Sequence, residues 1–207
     1  MQTERGLDRL TYFTDAIAAI AITLLVLPIV DRVADSDAPD VSAFLSDNLA
    51  ALGAFALSFV LIARFWMVHH GIFEFVAAYS PRLRTLSLAW AFTIALLPLP
   101  SAMLSEWPTT PLMVAFYIGT LAANSALMTA MVVLVYRDPA VADPAHPISL
   151  DRVLHSAVTT ALLLAALVLG TLVPDVNFFA ILLLFFSAPI SALVRTLLNK
   201  RSKEAHV

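Results

Sequence analysis

Long, continuous apolar runs recur along this chain of 207 residues, and charged or proline-rich segments separate them. A hydrocarbon core about 30 Å thick needs about 20 predominantly apolar residues in a helix, whereas a membrane β-strand is short and alternates in hydropathy. The runs therefore predict an all-α membrane protein with six transmembrane helices. Their expected bounds are 12–30, 49–76, 83–104, 111–136, 151–173 and 177–198.

The composition excludes several other classes of protein. Hydrophobic residues make up 60% of the chain and charged residues 13%, with a mean hydropathy of +0.88. A soluble domain could not bury that much apolar surface. The absence of cysteine excludes disulfides, thiolate metal sites and cysteine nucleophiles. No catalytic or nucleic-acid motif and no internal repeat is visible, so we expect one six-helix domain over 1–207 that is not an enzyme and binds no nucleic acid.

The distribution of charge orients the predicted helices. Apart from Arg32 and Arg64, every basic residue lies at a terminus or in an even-numbered loop, so the positive-inside rule predicts that both termini are cytoplasmic. The odd-numbered loops are acidic, with Asp31, Asp35, Asp37, Asp40, Asp47, Glu106 and Asp175. Such a surface concentrates cations, although ordinary solvated loops carry similar charge.

The start of the chain admits a second interpretation. Arg5 and Arg9 precede an apolar stretch, as in a secretory signal peptide. Asp15 interrupts that region and no small-x-small cleavage site follows, so we favour a membrane helix.

The first predicted helix has two different faces. At 100° per residue, one narrow stripe holds Ala16, Ile20, Thr23, Leu24, Leu27 and Asp31. Asp15 points about 140° away from Ile20 by the same count. Several copies around an axis would form a hydrophobic constriction beside a ring of hydroxyls. From periodicity alone, ordinary helix packing, with Thr23 bonded to its own backbone, is the favoured explanation.

A partner for Asp15 is available on the second span. Trp66, His69 and His70 lie in its cytoplasmic half, at a depth that matches Asp15, and their ring N–H groups are suitable donors to a carboxylate. Arg9 is a further candidate. Because unpaired charge at that depth is costly, we interpret these residues as a structural network that joins the two helices.

Two other roles for the histidine pair remain open. A metal site would need a third ligand, and none has a suitable spacing, so we predict no metal. A pH-sensing or proton-relay role for His69 and His70 is the second alternative. Prolines 28, 98, 100 and 189 are expected to kink or end their helices.

Three segments together resemble the transmembrane protein 175 family of potassium-permeable channels from endolysosomes and prokaryotes. The first is Arg9-x-x-x-Phe13-Thr14-Asp15 followed by the run Ala19–Leu27. The second is Trp66-Met67-Val68-His69-His70 with Phe73, and the third is Pro98-Leu99-Pro100. The resemblance covers about the first half of the chain.

This resemblance implies a homotetramer in which the first helix of each subunit lines the pore, with no re-entrant filter. By position, Ile20, Leu24 and Leu27 would form the hydrophobic gate and Thr23 the layer tied to selectivity. The structural network would hold Arg9, Phe13, Thr14, Asp15, Trp66, and His69 or His70. The chain departs from the family pattern at Thr14, Pro28, Arg64 and Ser87.

The sequence hypothesis is thus a potassium channel in the cytoplasmic membrane of a prokaryote. Its partners would be three further copies of the chain, potassium ions and the lipid bilayer, with no cofactor besides the permeant K⁺ in the pore. A proton-coupled secondary transporter that uses Asp15, His69 and His70 is the alternative, and a structural protein without flux is a third possibility.

Overall fold

A computed structural model describes residues 2–173 and 175–204, with side chains described over 5–104, 106–173 and 175–198. The helices are α1 (Gln2–Leu24), α2 (Leu27–Ala34), α3 (Val41–Asp47), α4 (Leu49–Phe73), α5 (Pro81–Leu96), α6 (Pro98–Glu106), α7 (Pro111–Arg137), α8 (Leu150–Leu172) and α9 (Ser187–Glu204). A 3₁₀ segment over Asn177–Phe186 precedes α9. No strand longer than a single bridge occurs in the described ranges.

Within the described residues, six stretches are long and apolar enough to cross a membrane, which confirms the predicted number. They are Arg5–Ala34, Leu49–Phe73, Pro81–Leu104, Pro111–Arg137, Leu150–Leu172 and Asn177–Leu198. The largest difference from the expected bounds is at the first stretch, because α1 begins at Gln2 rather than near residue 12. Hydropathy finds only the apolar part of a helix, whereas Leu10 and Thr14 are buried against the bundle and extend the helix into its polar start.

The first membrane stretch is not one straight helix. A turn at Leu25–Val26 separates α1 from α2, and the Val26 amide donates to the Thr23 carbonyl at 3.3 Å. Pro28 has no N–H to donate to the Leu24 carbonyl, which explains why the regular hydrogen bonds stop here. The stripe predicted by a straight helical wheel therefore crosses this turn between Leu24 and Leu27.

Other prolines also coincide with changes of helix. Leu97 separates α5 from α6, directly before Pro98. The last membrane stretch changes from 3₁₀ to α geometry at Ser187, two residues before Pro189. These positions agree with the expectation that the prolines interrupt their helices.

Helix α7 forms the centre of the bundle, with α5 on one side and α8 on the other. Between α7 and α8, the hydroxyls of Ser125 and Thr160 are 2.8 Å apart, and that of Thr129 is 2.7 Å from Ser156 and 2.8 Å from Thr160. Such hydroxyl contacts join helices where the apolar solvent gives them no hydrophobic reason to associate.

Two linkers are joined at the end of the bundle where α4 and α7 end and α5 and α8 begin, which we call the basic end. The Ala77 amide donates to the Val141 carbonyl and the Asp143 amide to the Phe75 carbonyl, each at 2.9 Å. A hydrogen bond with His146, followed by one from the Ala145 amide, holds the pKa of Asp143 below its ordinary value. The linker turn therefore keeps a charged carboxylate at neutral pH.

Candidate functional site: the first membrane helix and its anchor

Helix α1 has one face packed into the protomer and one face turned away from it. Ala18 and Ala21 are 1% exposed, so α1 lies against α4 and α5 through small side chains, and Leu25 in the following turn is 5% exposed. On the other face, Ile20 is 58% and Leu24 42% exposed. The stripe predicted from the sequence is therefore uncovered within one chain.

Leu27 is also exposed, at 50%, although it follows the turn at Leu25–Val26. We call Ile20, Leu24 and Leu27 the neck residues. They present three large aliphatic side chains on consecutive turns of the chain.

Thr23 is exposed among the neck residues, and its Oγ1 donates to the Ile20 carbonyl at 2.8 Å. This is the backbone bond that ordinary packing predicts. It leaves the lone pairs of the Thr23 oxygen free, because the hydroxyl proton is already used. The hydroxyl can thus act as an acceptor toward whatever faces the stripe.

Asp15 is fixed by α4. Trp66 Nε1 donates to Asp15 Oδ1 at 2.8 Å, and His70 Nδ1 lies 3.5 Å from Asp15 Oδ2. The Trp66 and His70 rings lie 5.6 Å apart, one helical turn from each other. The carboxylate therefore joins α1 to α4 on the side of α1 that is turned away from Ile20.

His69 is not part of this contact. It is fully buried, its ring is stacked 3.7 Å from the ring of Trp90, and Phe73 lies 5.0 Å away. Neighbouring helical residues point about 100° apart, so only one of the two histidines can face α1. Of the two candidates that the sequence offered, the structure brings His70 to Asp15.

Three other residues proposed for the network lie apart from the carboxylate in the protomer. Arg9 and Phe13 are exposed, and no hydrogen bond or ion pair joins Arg9 to Asp15 within the described ranges. Thr14 is buried, but its hydroxyl donates to the Leu10 and Thr11 carbonyls of its own helix, at 3.1 and 2.9 Å. Within the described ranges, the polar contact between α1 and α4 therefore consists of Asp15, Trp66 and His70.

The far end of the first stretch opens into an acidic depression of about 780 Å³. Five carboxylates line it, those of Asp31, Asp35, Asp37, Asp47 and Glu106. Arg32 crosses the depression, with guanidinium nitrogens 2.7 Å from Glu106 and 3.0 Å from Asn48. In the described part of the chain, no group of three or more histidine, aspartate or glutamate side chains is arranged to hold a metal ion.

Ser125 and Thr129 lie inside the fourth span, where polar residues commonly bond between helices, and in the structure both contact α8. The signal of these contacts is a pair of hydroxyl residues four apart on each helix, Ser125 with Thr129 and Ser156 with Thr160, which places each pair on one face.

Comparison with known proteins shows which family part of this chain matches. The sequence model described as endosomal/lysosomal potassium channel TMEM175 matches residues 9–98, which include the stripe, the Asp15 anchor and α5. Residues 9–98, less than half of the chain, therefore resemble the TMEM175 family.

Two kinds of relative match parts of this chain. A Streptomyces collinus protein described as a potassium channel is 36% identical over 100 residues, which are 48% of this chain and 48% of the relative. A Rattus norvegicus protein described as an endosomal/lysosomal proton channel TMEM175 is 22% identical over 146 residues, which are 70% of this chain and 29% of the relative. The matched regions thus span about half or less of these relatives.

The fold is also similar to a solved structure. The crystal structure of a TMEM175 homologue from Chamaesiphon minutus, described as a lysosomal potassium-selective channel homologue, superposes with a TM-score of 0.66. The superposition covers 91% of this chain and 99% of that chain, at 22% sequence identity. The likeness therefore extends the TMEM175 fold over helices beyond residue 98.

Proposed function

We propose that this protein is the subunit of a passive, potassium-permeable cation channel in the cytoplasmic membrane of a prokaryote. Four copies would surround a central axis, with α1 of each copy lining the pore and both termini in the cytoplasm. Ile20, Leu24 and Leu27 would form the gate, and Thr23 would supply the oxygens tied to selectivity.

The observation that supports this proposal best is the contrast between the two faces of α1. The back of the helix is held by a hydrogen-bonded carboxylate, whereas the front leaves the neck residues and Thr23 uncovered. A hydroxyl oxygen with free lone pairs gains nothing from contact with lipid chains. In a pore, the Thr23 oxygen would contact water or a cation instead.

In the proposed pore, cations first collect at the acidic depression beside Asp31. The neck is narrow and aliphatic, so it excludes water until it widens, and dewetting closes the channel. At the level of Thr23, hydroxyl oxygens replace part of the hydration shell that a cation loses. The chain needs no bound cofactor for this process.

The relatives favour a potassium channel without deciding the ion. The Streptomyces and Chamaesiphon proteins are described as a potassium channel and a potassium-selective channel homologue, and the rat protein as a proton channel. The alternative, a proton-coupled carrier, would use Asp15, His70 and His69. The His69 ring nitrogens make no hydrogen bond among the described residues, so no hydrogen-bonded relay joins His69 to Asp15 there.

The function is tested by recording currents from purified protein in a planar bilayer with potassium on one side and sodium on the other. A channel gives a reversal potential set by the passive ion gradients, whereas a coupled carrier shifts its reversal potential with pH in a fixed proportion. A protein without flux gives no current above the empty bilayer.

The neck is tested by shortening its side chains. Ile20→Ala and Leu27→Ala are expected to raise the leak current, because a wider and less apolar neck wets more easily. Leu164→Ala is the matched control, since Leu164 lies on α8 and is 50% exposed, as Leu27 is. Equal currents from the wild type and both neck variants would contradict the pore assignment.

A further inference from the structure

A second polar site lies away from α1, in a cavity of about 400 Å³ between α4, α7 and α8. Its wall includes Gly71 and Arg152 at the basic end. It also includes Arg64, seven residues before Gly71 on α4, and Thr159, seven residues after Arg152 on α8. Both positions lie roughly 10 Å deeper in the bundle. The cavity therefore extends from the basic end toward the middle of the membrane.

The charge of the cavity wall is positive. Arg64, Arg152 and His155 line it, and no aspartate or glutamate is among its described lining residues. The nearby carboxylate of Asp151 is paired with Arg195 at 2.8 Å. An anion that enters the cavity would thus meet two guanidinium groups and no opposing carboxylate.

Most of the hydroxyls on the wall are already engaged. Ser125 and Ser156 belong to the hydroxyl contacts between α7 and α8, and Thr159 donates to the His155 carbonyl at 2.9 Å. His155 Nδ1 lies 3.3 Å from the Ser191 hydroxyl, which leaves its other ring nitrogen available. The donors that remain for a ligand are therefore mainly those of the two arginines.

The two arginines differ in how they are held. Arg152 donates one N–H to the Gly71 carbonyl at 3.0 Å, and its guanidinium lies 4.3 Å from the centre of the Phe75 ring, so it is fixed in place with other donors free. Arg64 is exposed inside a membrane-spanning helix and makes no hydrogen bond or ion pair among the described residues. An unpaired guanidinium at that depth is costly, so an anion bound beside it would offset that cost.

We propose that this cavity binds the phosphodiester headgroup of an anionic phospholipid, held between Arg64 and Arg152. Guanidinium groups recognise phosphate oxygens through paired N–H donors, and basic pockets between membrane helices suit anionic lipid headgroups. The apolar part of the wall, with Phe65, Met128 and Val132, fits the adjoining acyl chain. This site is independent of the proposed channel function.

Lipid binding is measured by native mass spectrometry of the purified full chain in a non-ionic detergent. Phosphatidylglycerol is expected to be retained about tenfold more strongly than phosphatidylcholine, because the zwitterionic lipid adds a cation beside the arginines. Arg64→Gln and Arg152→Gln should each weaken phosphatidylglycerol retention by about tenfold. Arg64→Lys keeps the charge and should retain most of the binding.

Arg84→Gln is the matched control, because Arg84 also lies near the basic end but contacts the Tyr79 hydroxyl instead of the cavity. Its lipid retention should equal that of the wild type. The proposal is overturned if both cavity variants bind phosphatidylglycerol as the wild type does, or if all three glutamine variants lose it equally.

A titration with inorganic phosphate separates the two sources of the phosphate group. For a lipid site, millimolar phosphate leaves phosphatidylglycerol retention unchanged. If inorganic phosphate itself binds in an Arg64-dependent manner while phosphatidylglycerol is retained no better than phosphatidylcholine, the lipid assignment is wrong.

Discussion

Asp15 has a carboxylate inside the first membrane stretch, where an unpaired charge would be costly. The indole of Trp66 and the ring of His70 offset that cost from the neighbouring helix, at 2.8 and 3.5 Å. A hydrogen bond to a charged acceptor contributes more than one between neutral groups. The pair therefore fixes the rotation of α1 about its own axis, and with it the direction in which Ile20 points.

The contribution of the Asp15–Trp66 hydrogen bond to stability is measured by Trp66→Phe, which keeps an aromatic ring but removes the N–H donor. We expect the free energy of unfolding to fall by about 1.5 kcal/mol, the lower value for a hydrogen bond to a charged group, since the Asp15 side chain keeps 27% exposure. At this chain length the melting temperature in detergent should fall by roughly 3–6 °C. Trp107→Phe, at a tryptophan that is 60% exposed, should change it little, and equal shifts would contradict the anchor.

The sequence predicted part of this site for definite physical reasons. Trp66 was a good candidate because it combines a suitable donor with a depth that matches Asp15. The choice between His69 and His70 needed the structure, since both carry the same donors and only the rotation of α4 decides which faces α1. The sequence could not place Arg64 in a cavity, because the other walls of that cavity come from α7 and α8, far away along the chain.

At the scale of helices, positions of proline were predictable but the resulting geometry was not. Pro28 indicated a bend near the end of the first stretch, yet a straight wheel placed Leu27 and Ile20 on one axis. The turn at Leu25–Val26 gives Leu27 its own helix. The 3₁₀ geometry of Asn177–Phe186 was also missed, because hydropathy is the same for either kind of helix.

Helix α8 and the 3₁₀ segment approach each other closely at Gly170. A Cβ atom there would lie 2.7 Å from the Asn177 carbonyl oxygen and 3.0 Å from Val114 Cγ1, and backbone cannot move away as easily as a flexible side chain. We expect Gly170→Ala to lower the free energy of unfolding by about 1–3 kcal/mol, the usual cost of overpacking.

The control for this change is Gly53→Ala on α4, where a Cβ meets nothing within 4 Å. Because alanine is the better helix former, that variant should be neutral or more stable by up to about 1 kcal/mol. Thermal unfolding of both variants in one detergent makes the comparison, and a stable Gly170→Ala would show that α8 and the 3₁₀ segment are free to separate.

For the molecule as a whole, an exposed apolar stripe has two possible surroundings, lipid or other copies of the chain. Exposure in one protomer does not separate them, since Leu164 on α8 is as exposed as Leu27. The stripe on α1 has two chemical features of its own kind: it carries the Thr23 hydroxyl among the neck residues, and it leads to the acidic depression. The tetramer that we propose around α1 would use that difference.

The absence of native cysteine makes the arrangement of copies directly measurable. In Ile20→Cys, each copy carries one thiol on the proposed axis, so a short thiol-reactive cross-linker applied in membranes should convert most of the protein into covalent dimers. Leu164→Cys places one thiol on α8, at 50% exposure, and should remain monomeric on a denaturing gel. The ratio of dimer to monomer in the two variants shows which of the two faces meets another copy of the chain. If Leu164→Cys cross-links and Ile20→Cys does not, the copies meet through α8, and α1 faces the lipid.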